Sequence, residues 1–168
     1  NFENIMMALS VSKFLGIEEE ISANIISKYY PEDNRSQKFS FSSNCIVLDA
    51  YNANPVSMVN AIESVSKFSN KNKVMILGDM NELGKFMELE HRNIGKITSR
   101  LNLEACYFVG NKMKFAHEEN KLSLWFKNLS DLEDELTEKK FKDTDILVKG
   151  SRSLELENIV HILKKISV

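Results

Sequence analysis

Short apolar runs recur along most of this chain, and a helical pattern follows nearly every one of them. The runs that predict strands cover residues 38–42, 44–48, 73–77, 105–109, 122–126 and 144–149, and the predicted helices between and after them cover 56–69, 87–101, 111–119, 130–139 and 153–166. Alternating strands and helices are typical of a mostly parallel sheet with helices on both faces. The sequence therefore predicts an α/β, Rossmann-like fold. Its first two runs, 38–42 and 44–48, suggest a hairpin or a short edge strand.

The first thirty residues follow a different pattern. Apolar residues at helical spacing predict a helix over 2–15 and a second helix over about 18–29. The polar, proline-led segment Pro31-Glu32-Asp33-Asn34 comes next and is the best candidate for a linker. We therefore expect residues 1–33 to belong to one domain and residues 34–168 to another.

Composition excludes several classes of function. The 22 basic and 24 acidic residues are interspersed, and the net charge of −2 offers no basic surface to a nucleic acid. No apolar run is long enough to cross a bilayer, and the chain shows no signal peptide. Cys45 and Cys106 lie in apolar runs and suit a reducing compartment. We expect a cytoplasmic protein with neither a nucleic-acid nor a membrane partner.

Polar residues follow three of the predicted strands. The three segments are Asp49-Ala50-Tyr51-Asn52-Ala53-Asn54-Pro55, Gly78-Asp79-Met80-Asn81-Glu82-Leu83-Gly84 and Lys149-Gly150-Ser151-Arg152-Ser153. Ligands of open α/β sheets bind just outside the carboxyl ends of the strands, so these segments predict a ligand site. An alternative for the first segment is an Asx-rich turn with a proline near a helix start.

Simple chemistry limits what these polar groups can do. Asp49 can accept hydrogen bonds from sugar hydroxyls or from an ammonium, and each asparagine offers a donor and an acceptor. Asp79 can orient an ammonium or, more commonly, bond backbone amides of its own turn. His91 lies in a predicted helix rich in Glu and Arg, where a lone exposed histidine is usually solvated. The three histidines lack the spacing of a zinc site, so we expect no metal ligands in this chain.

The three polar segments, in this order at strand ends, closely resemble the Mur ligases of peptidoglycan synthesis. The resemblance covers essentially the whole chain, which is similar to the carboxyl-terminal part of such an enzyme preceded by two helices of its central domain. It implies an ATP-dependent ligase that adds D-alanyl-D-alanine to UDP-N-acetylmuramoyl-tripeptide through an acyl phosphate. The chain has no Gly-x-x-x-x-Gly-Lys-Ser/Thr loop. The phosphate loop and the Mg²⁺ ligands are therefore expected in the central domain before Asn1, and this chain alone should be inactive.

The resemblance also implies binding roles for individual residues. Asn4, with Asn1 as a second candidate, is expected to contact the adenine of ATP, Arg35 to reach the nucleotide and Asp49 to bind its ribose. The residues expected to face the dipeptide substrate are Tyr51, Asn52, Asn54, Lys149, Ser151 and Arg152. Arg152 or the amino end of the last helix is a sensible receptor for the dipeptide carboxylate. Structural alternatives are a helix N-cap for Asn4 and an ion pair between Arg35 and Asp49.

Two other classes of protein fit the sequence less well. A haloacid-dehalogenase-like phosphatase needs a second aspartate two residues after Asp49, where Tyr51 stands. A receiver-like binding module needs an acidic pair at other strand ends, and Asp79 is the only good candidate. The chain offers no paired nucleophile and base, so we expect no catalytic residue in it and assign its contribution to orientation and charge placement.

Overall fold

The computed structural model describes residues 2–168 of the chain, with side chains from Asn4 onward, and Asn1 lies outside the described residues. The chain divides between Pro31 and Glu32 into two compact units. The first unit contains the two predicted helices, α1 (Phe2–Phe14) and α2 (Glu19–Ser27). The assignment of residues 1–33 to a separate enzyme domain remains a prediction.

The second unit is built on one six-stranded sheet. Its strands are β1 (Gln37–Phe41), β2 (Asn44–Asp49), β3 (Asn72–Gly78), β4 (Ala105–Val109), β5 (Leu124–Phe126) and β6 (Thr144–Lys149), arranged in the order β1-β2-β6-β3-β4-β5. Only β1 runs antiparallel to its neighbour, so the predicted mostly parallel sheet with a hairpin at its edge is confirmed. The order places the carboxyl ends of β2, β6 and β3 side by side.

Helices cover both faces of this sheet, as predicted. The helices are α3 (Pro55–Ser66), α4 (Met87–Thr98), α5 (Lys114–Glu119), α6 (Leu129–Thr137) and α7 (Val160–Lys165). Two apolar clusters divide the side chains of the strands by alternation, so that Ile146 and Val148 join the cluster with α6 and α7, and Leu147 joins the cluster with α3, α4 and α5. None of the described helices has the length and apolar character needed to cross a membrane.

The single helix predicted over 153–166 is wrong. Two 3₁₀ turns, Arg152–Leu154 and Leu156–Ile159, precede α7, and Glu155 between them has a left-handed backbone with φ of 49°. The side chains of Leu154 and Leu156 both pack against Gly78, within 2.9 Å of where a β-carbon would stand. Residues two positions apart do not share a face of an α-helix, so this packing requires the break at Glu155.

Close packing between two helices depends on Gly95. A β-carbon on Gly95 of α4 would lie 2.2 Å from the carbonyl oxygen of Ala116 on α5. The two backbones therefore touch where a side chain would separate them. This contact fixes the position of the segment before α5, which follows β4 at the edge of the sheet that carries the candidate site.

A buried histidine fastens α4 to the loop after β3. The expectation that His91 is exposed is wrong, because its side chain is fully buried. Its Nε2 accepts a hydrogen bond of 3.0 Å from the Met80 amide, and its Nδ1 lies 2.6 Å from the Met87 carbonyl oxygen. The imidazole must be neutral with its proton on Nδ1, because only then do both contacts form. Burial lowers the pKa of His91, although the Met87 carbonyl opposes this effect.

We expect Gly95→Ala to lower the free energy of unfolding by about 1–3 kcal/mol, because the new methyl group must push α4 away from α5. Urea unfolding followed by circular dichroism measures this change. Lys96→Ala, at the next and exposed position of the same helix, is the matched control. Equal midpoints for the two variants would contradict the close contact.

We expect His91 to make the fold less stable in mild acid. Between its lowered pKa in the folded state and about 6.5 in the unfolded state, only the unfolded chain binds the proton. This histidine therefore removes up to about 1.4 kcal/mol of stability per pH unit as the pH falls through that window. Unfolding free energies measured from pH 7.5 down to pH 5.5 should fall more steeply for the wild type than for His91→Gln. His161→Gln, at an exposed position, is the control, and parallel profiles for wild type and His91→Gln would disprove the assignment.

Candidate functional site

An ion pair joins the carboxyl ends of the neighbouring strands β2 and β6. Lys149 Nζ lies 2.5 Å from Asp49 Oδ2 and also donates to the carbonyl oxygen of Asn52 at 3.1 Å. The other carboxylate oxygen, Oδ1, accepts a hydrogen bond of 3.0 Å from the Ser36 amide. Lys149 is 1% exposed, whereas Asp49 is only half-buried. The pair fixes the Asp49 carboxylate at the strand end with part of it open to a ligand.

This pairing decides one of the structural alternatives. Among the described residues, Asp49 pairs with Lys149 and not with Arg35. The ammonium of Lys149 contacts the protein itself, so its predicted contact with substrate remains a prediction. Asn4 is exposed and is the third residue of α1, which is not an N-cap position, and its predicted contact with adenine also remains a prediction.

Two arginines gather around the ring of Tyr51. The guanidinium carbon of Arg35 lies 3.7 Å from the ring centroid, and that of Arg152 lies 5.4 Å from it. Both distances are within the range of cation–π contacts. A guanidinium stacked on a ring keeps its N–H groups free at its edge, where they can bind phosphate or carboxylate oxygens. Tyr51, Arg35 and Arg152 are all exposed, so this cluster offers positive charge to an anionic ligand beside Asp49.

The two asparagines between Tyr51 and α3 shape the loop that carries them. Asn54 is the N-cap of α3, because its Oδ1 accepts from the Ser57 amide at 2.8 Å and its own amide donates to Ser57 Oγ at 3.2 Å. Asn52 Oδ1 accepts from the Ala53 amide at 2.8 Å. The Asx-rich turn considered as an alternative is therefore present. Both side chains are exposed at the site, and their contacts with substrate remain predictions.

Asp79 connects the loops after β3, β4 and β6. Its Oδ1 accepts hydrogen bonds from the amides of Lys112 at 3.0 Å and Met113 at 2.8 Å. Its carbonyl oxygen accepts from the amide of Ser151 at 3.0 Å and from Ser151 Oγ at 2.6 Å. The expectation that Asp79 bonds amides of its own turn is wrong, because the loop after β4 supplies them. Ser151 is buried in this contact, and its predicted contact with substrate remains a prediction.

The carboxylate of Asp79 lies in a close-fitting, largely buried environment. Gly110 has φ of +109°, and a β-carbon there would lie 2.4 Å from Asp79 Cγ, so only glycine fits. Burial raises the pKa of Asp79, while the hydrogen bonds from the amides of Met113 and Lys112 and the positive charge of Lys112 partly oppose that rise. Among the described residues, no cluster of three acidic, histidine or cysteine side chains can hold a metal ion.

The sequence did not single out three polar residues that meet at this edge. Lys112 Nζ donates to Asn81 Oδ1 at 2.5 Å, and Asn81 Nδ2 donates to Ser153 Oγ at 3.1 Å. Asn81 and Ser153 stand within the recognised segments, but Lys112 does not. The available signal was its position three residues after the strand 105–109, at the same edge of a parallel sheet.

Comparison with known proteins matches residues 34–152 to the family described as Mur ligase, glutamate ligase domain. The UDP-N-acetylmuramoyl-tripeptide--D-alanyl-D-alanine ligase of Rickettsia prowazekii is 29% identical over 95% of this chain and 36% of its own length. A crystal structure of MurF from Acinetobacter baumannii superposes with a TM-score of 0.85 and 25% identity, covering 98% of this chain and 37% of its own. The structure of MurF ligase from Thermotoga maritima in complex with ADP superposes with a TM-score of 0.80 and 22% identity, covering 94% of this chain and 36% of its own.

The chain thus spans a little more than a third of the length of these relatives. The family match covers most of the chain, including the polar segments after β2 and β3 and the turn from Lys149 to Arg152. This match agrees with the predicted Mur ligase and not with the two alternative classes, the phosphatase and the receiver-like module. The chain belongs to the Mur ligase family, and residues 34–152 match its glutamate ligase domain.

Proposed function

We propose that this chain is the carboxyl-terminal part of an ATP-dependent ligase that adds D-alanyl-D-alanine to UDP-N-acetylmuramoyl-tripeptide. The observation that carries the proposal is the Asp49–Lys149 pair beside the arginine cluster on Tyr51, at the carboxyl edge of a Mur ligase domain. The relatives that match almost the whole chain carry this activity in their names. Free, buried cysteines further support a cytoplasmic location, where such a ligase would find its nucleotide substrates.

The proposed reaction makes one amide bond. ATP transfers its γ-phosphoryl group to the carboxylate of the UDP-muramoyl tripeptide, which yields an acyl phosphate and ADP. The amine of D-alanyl-D-alanine attacks the acyl carbon, the C–O bond to phosphate breaks, and the amine proton passes to solvent or to a basic group. Mg²⁺ would neutralise the phosphate charge, and we assign its ligands to the central domain of the complete enzyme.

The Asp49 carboxylate has the right properties to bind the ATP ribose. A carboxylate has about four acceptor positions, and the contacts with Lys149 and Ser36 use two of them. The others can accept hydrogen bonds from two ribose hydroxyls. The hydrogen bond from the buried Lys149 ammonium holds the carboxylate in one orientation before the nucleotide binds, which lowers the entropic cost of ordering it on binding. Asn4 is proposed to contact the adenine.

The arginine cluster supplies charge next to the ribose position. Arg35 stacks on Tyr51 and can direct its N–H groups toward phosphate oxygens. Arg152 approaches the same ring from the turn after β6. Tyr51, Asn52 and Asn54 are proposed to border the space where the dipeptide amine meets the acyl phosphate. This part of the enzyme would act by orientation and electrostatic stabilisation.

We expect the complete protein that contains this domain to release ADP only when ATP, the UDP-muramoyl tripeptide and D-alanyl-D-alanine are all present. Residues 1–168 alone should give background rates, because the chain has no phosphate loop of the standard type. A coupled ADP assay with mass spectrometry of the product measures both. Failure of the complete protein to add the dipeptide would disprove the proposed function. Turnover by residues 1–168 alone would disprove the assignment of the phosphate loop and the Mg²⁺ ligands to the central domain.

We expect Asp49→Ala in the complete enzyme to raise the KM for ATP about tenfold or more, and the KM for the dipeptide much less, because a charged acceptor is lost at the ribose. This variant also leaves the Lys149 ammonium buried without its counter-ion, which is strongly destabilising. The double variant Asp49→Asn/Lys149→Met removes both charges and should retain the fold while keeping the high KM for ATP. Glu63→Ala, at an exposed position of α3, is the control. A wild-type KM for ATP in the folded double variant would mean that Asp49 is purely structural.

A further inference from the structure

A chain of polar side chains links three loops at the carboxyl edge of the sheet. We call Lys112, Asn81 and Ser153 the Lys112 array. Lys112 Nζ donates to Asn81 Oδ1 at 2.5 Å, and Asn81 Nδ2 donates to Ser153 Oγ at 3.1 Å. The three residues follow β4, β3 and β6 respectively. The array is therefore assembled only by the fold, from segments up to 72 residues apart.

The array presents hydrogen-bond donors and a positive charge. The Lys112 ammonium donates to Asn81 Oδ1 and so fixes the orientation of the Asn81 side-chain amide. The NH₂ group of that amide then occupies an acceptor position of Ser153 Oγ. The Ser153 hydroxyl proton and two ammonium protons of Lys112 are left to donate elsewhere. In the described part of the chain, no carboxylate lies within ion-pair distance of Lys112 Nζ. Such a donor-rich group suits an anion, and a carboxylate in particular.

The loops that carry the array are held in place before any ligand arrives. Asp79 accepts the backbone amide of Lys112 itself and also binds Ser151, two residues before Ser153. His91 holds the amide of Met80, next to Asn81. Each member of the array is therefore within two residues of a buried hydrogen bond. Preorganisation of this kind is expected of a binding site.

We propose that the Lys112 array binds the terminal carboxylate of the incoming D-alanyl-D-alanine, an inference that rests on the proposed function. The nucleotide side of the edge lies at β2, where Asp49 and Arg35 are, and the array lies at β3 and β4. The ends of β2 and β3 are separated by two strand spacings, about 10 Å. An extended dipeptide spans about 7 Å from amine to carboxylate. A dipeptide held at the array would thus direct its amine back toward the nucleotide side, where the acyl phosphate forms.

Arg152 is the other cation expected to bind this carboxylate. Its guanidinium is directed to the Tyr51 ring, beside Arg35, and so belongs to the nucleotide side in this structure. Lys112 is the cation that is linked to Ser153, through the side chain of Asn81. The array can therefore bind the dipeptide carboxylate without any residue of the arginine cluster.

The test compares two dipeptides in the complete ligase. D-alanyl-D-alaninamide has the same amine and methyl groups as D-alanyl-D-alanine but lacks the terminal negative charge. Lys112→Met should raise the KM for D-alanyl-D-alanine about tenfold or more, leave the KM for the amide nearly unchanged, and so reduce the preference for the acid. The KM values for ATP and for the UDP-muramoyl tripeptide should stay within about twofold of the wild type. Lys112→Arg should restore much of the preference.

Two further variants keep the test decisive. Lys114→Met removes an exposed lysine two residues away and should behave as the wild type. Ser153→Ala removes one neutral donor at an exposed position and should weaken acid binding by about two- to tenfold, which covers the case in which Lys112→Met does not fold.

Several outcomes would overturn the inference. An unchanged acid-to-amide preference in folded Lys112→Met, with only the melting temperature lowered, would show that the array merely ties loops together. A rise confined to the KM for ATP or for the UDP-muramoyl tripeptide would assign the array to a different anion. If the wild type ligates neither dipeptide, the proposed function itself fails, and this result differs from each of the others.

Discussion

The arrangement of the site depends on the hydrogen bonds made by one residue, Asp79. Its carboxylate accepts hydrogen bonds from two backbone amides of the loop after β4. Its carbonyl oxygen accepts hydrogen bonds from the amide and the hydroxyl of Ser151, after β6. The strands alone would place these loops near one another, but loops at strand ends are mobile unless their backbone groups are bonded. Asp79 converts three neighbouring loops into one surface, and the absence of a side chain at Gly110 makes room for it.

Strand β6 contributes a buried charged residue to an ion pair near each of its ends. At its carboxyl end Lys149 pairs with Asp49 of β2, and at its amino end Asp145 pairs with Lys73 of β3 at 3.1 Å. Buried charges gain little net stability from a partner, yet losing the partner costs several kcal/mol. A shift of β6 by one residue would turn both charges to the other face of the sheet and break both pairs. We infer that the two pairs select the register of β6 against its neighbours β2 and β3. This register aligns Asp49 with Lys149 at the carboxyl edge of the sheet.

The sequence predicted the features that depend on local patterns, and it failed where distant residues decide the outcome. The strands 105–109 and 144–149 were predicted to the residue, because buried parallel strands are continuous apolar runs. Asp49 was correctly placed at a strand end for the same reason. His91 reads as exposed because its helix is rich in charge, and its burial follows from the loop that folds over it. Lys112 was not singled out for a similar reason, since the partner of its ammonium, Asn81, lies in another loop.

The ammonium of Lys149 serves both halves of the site at once. It neutralises the carboxylate proposed for the ribose and also holds the carbonyl oxygen of Asn52, in the loop proposed to border the dipeptide. Evolution therefore has little freedom to adjust one half without the other. If the proposed function holds, a change of residue 149 that admitted a different amine would also alter the binding of ATP. New acceptor specificity in such a domain should arise from exposed positions around the site, while the buried lysine stays as it is.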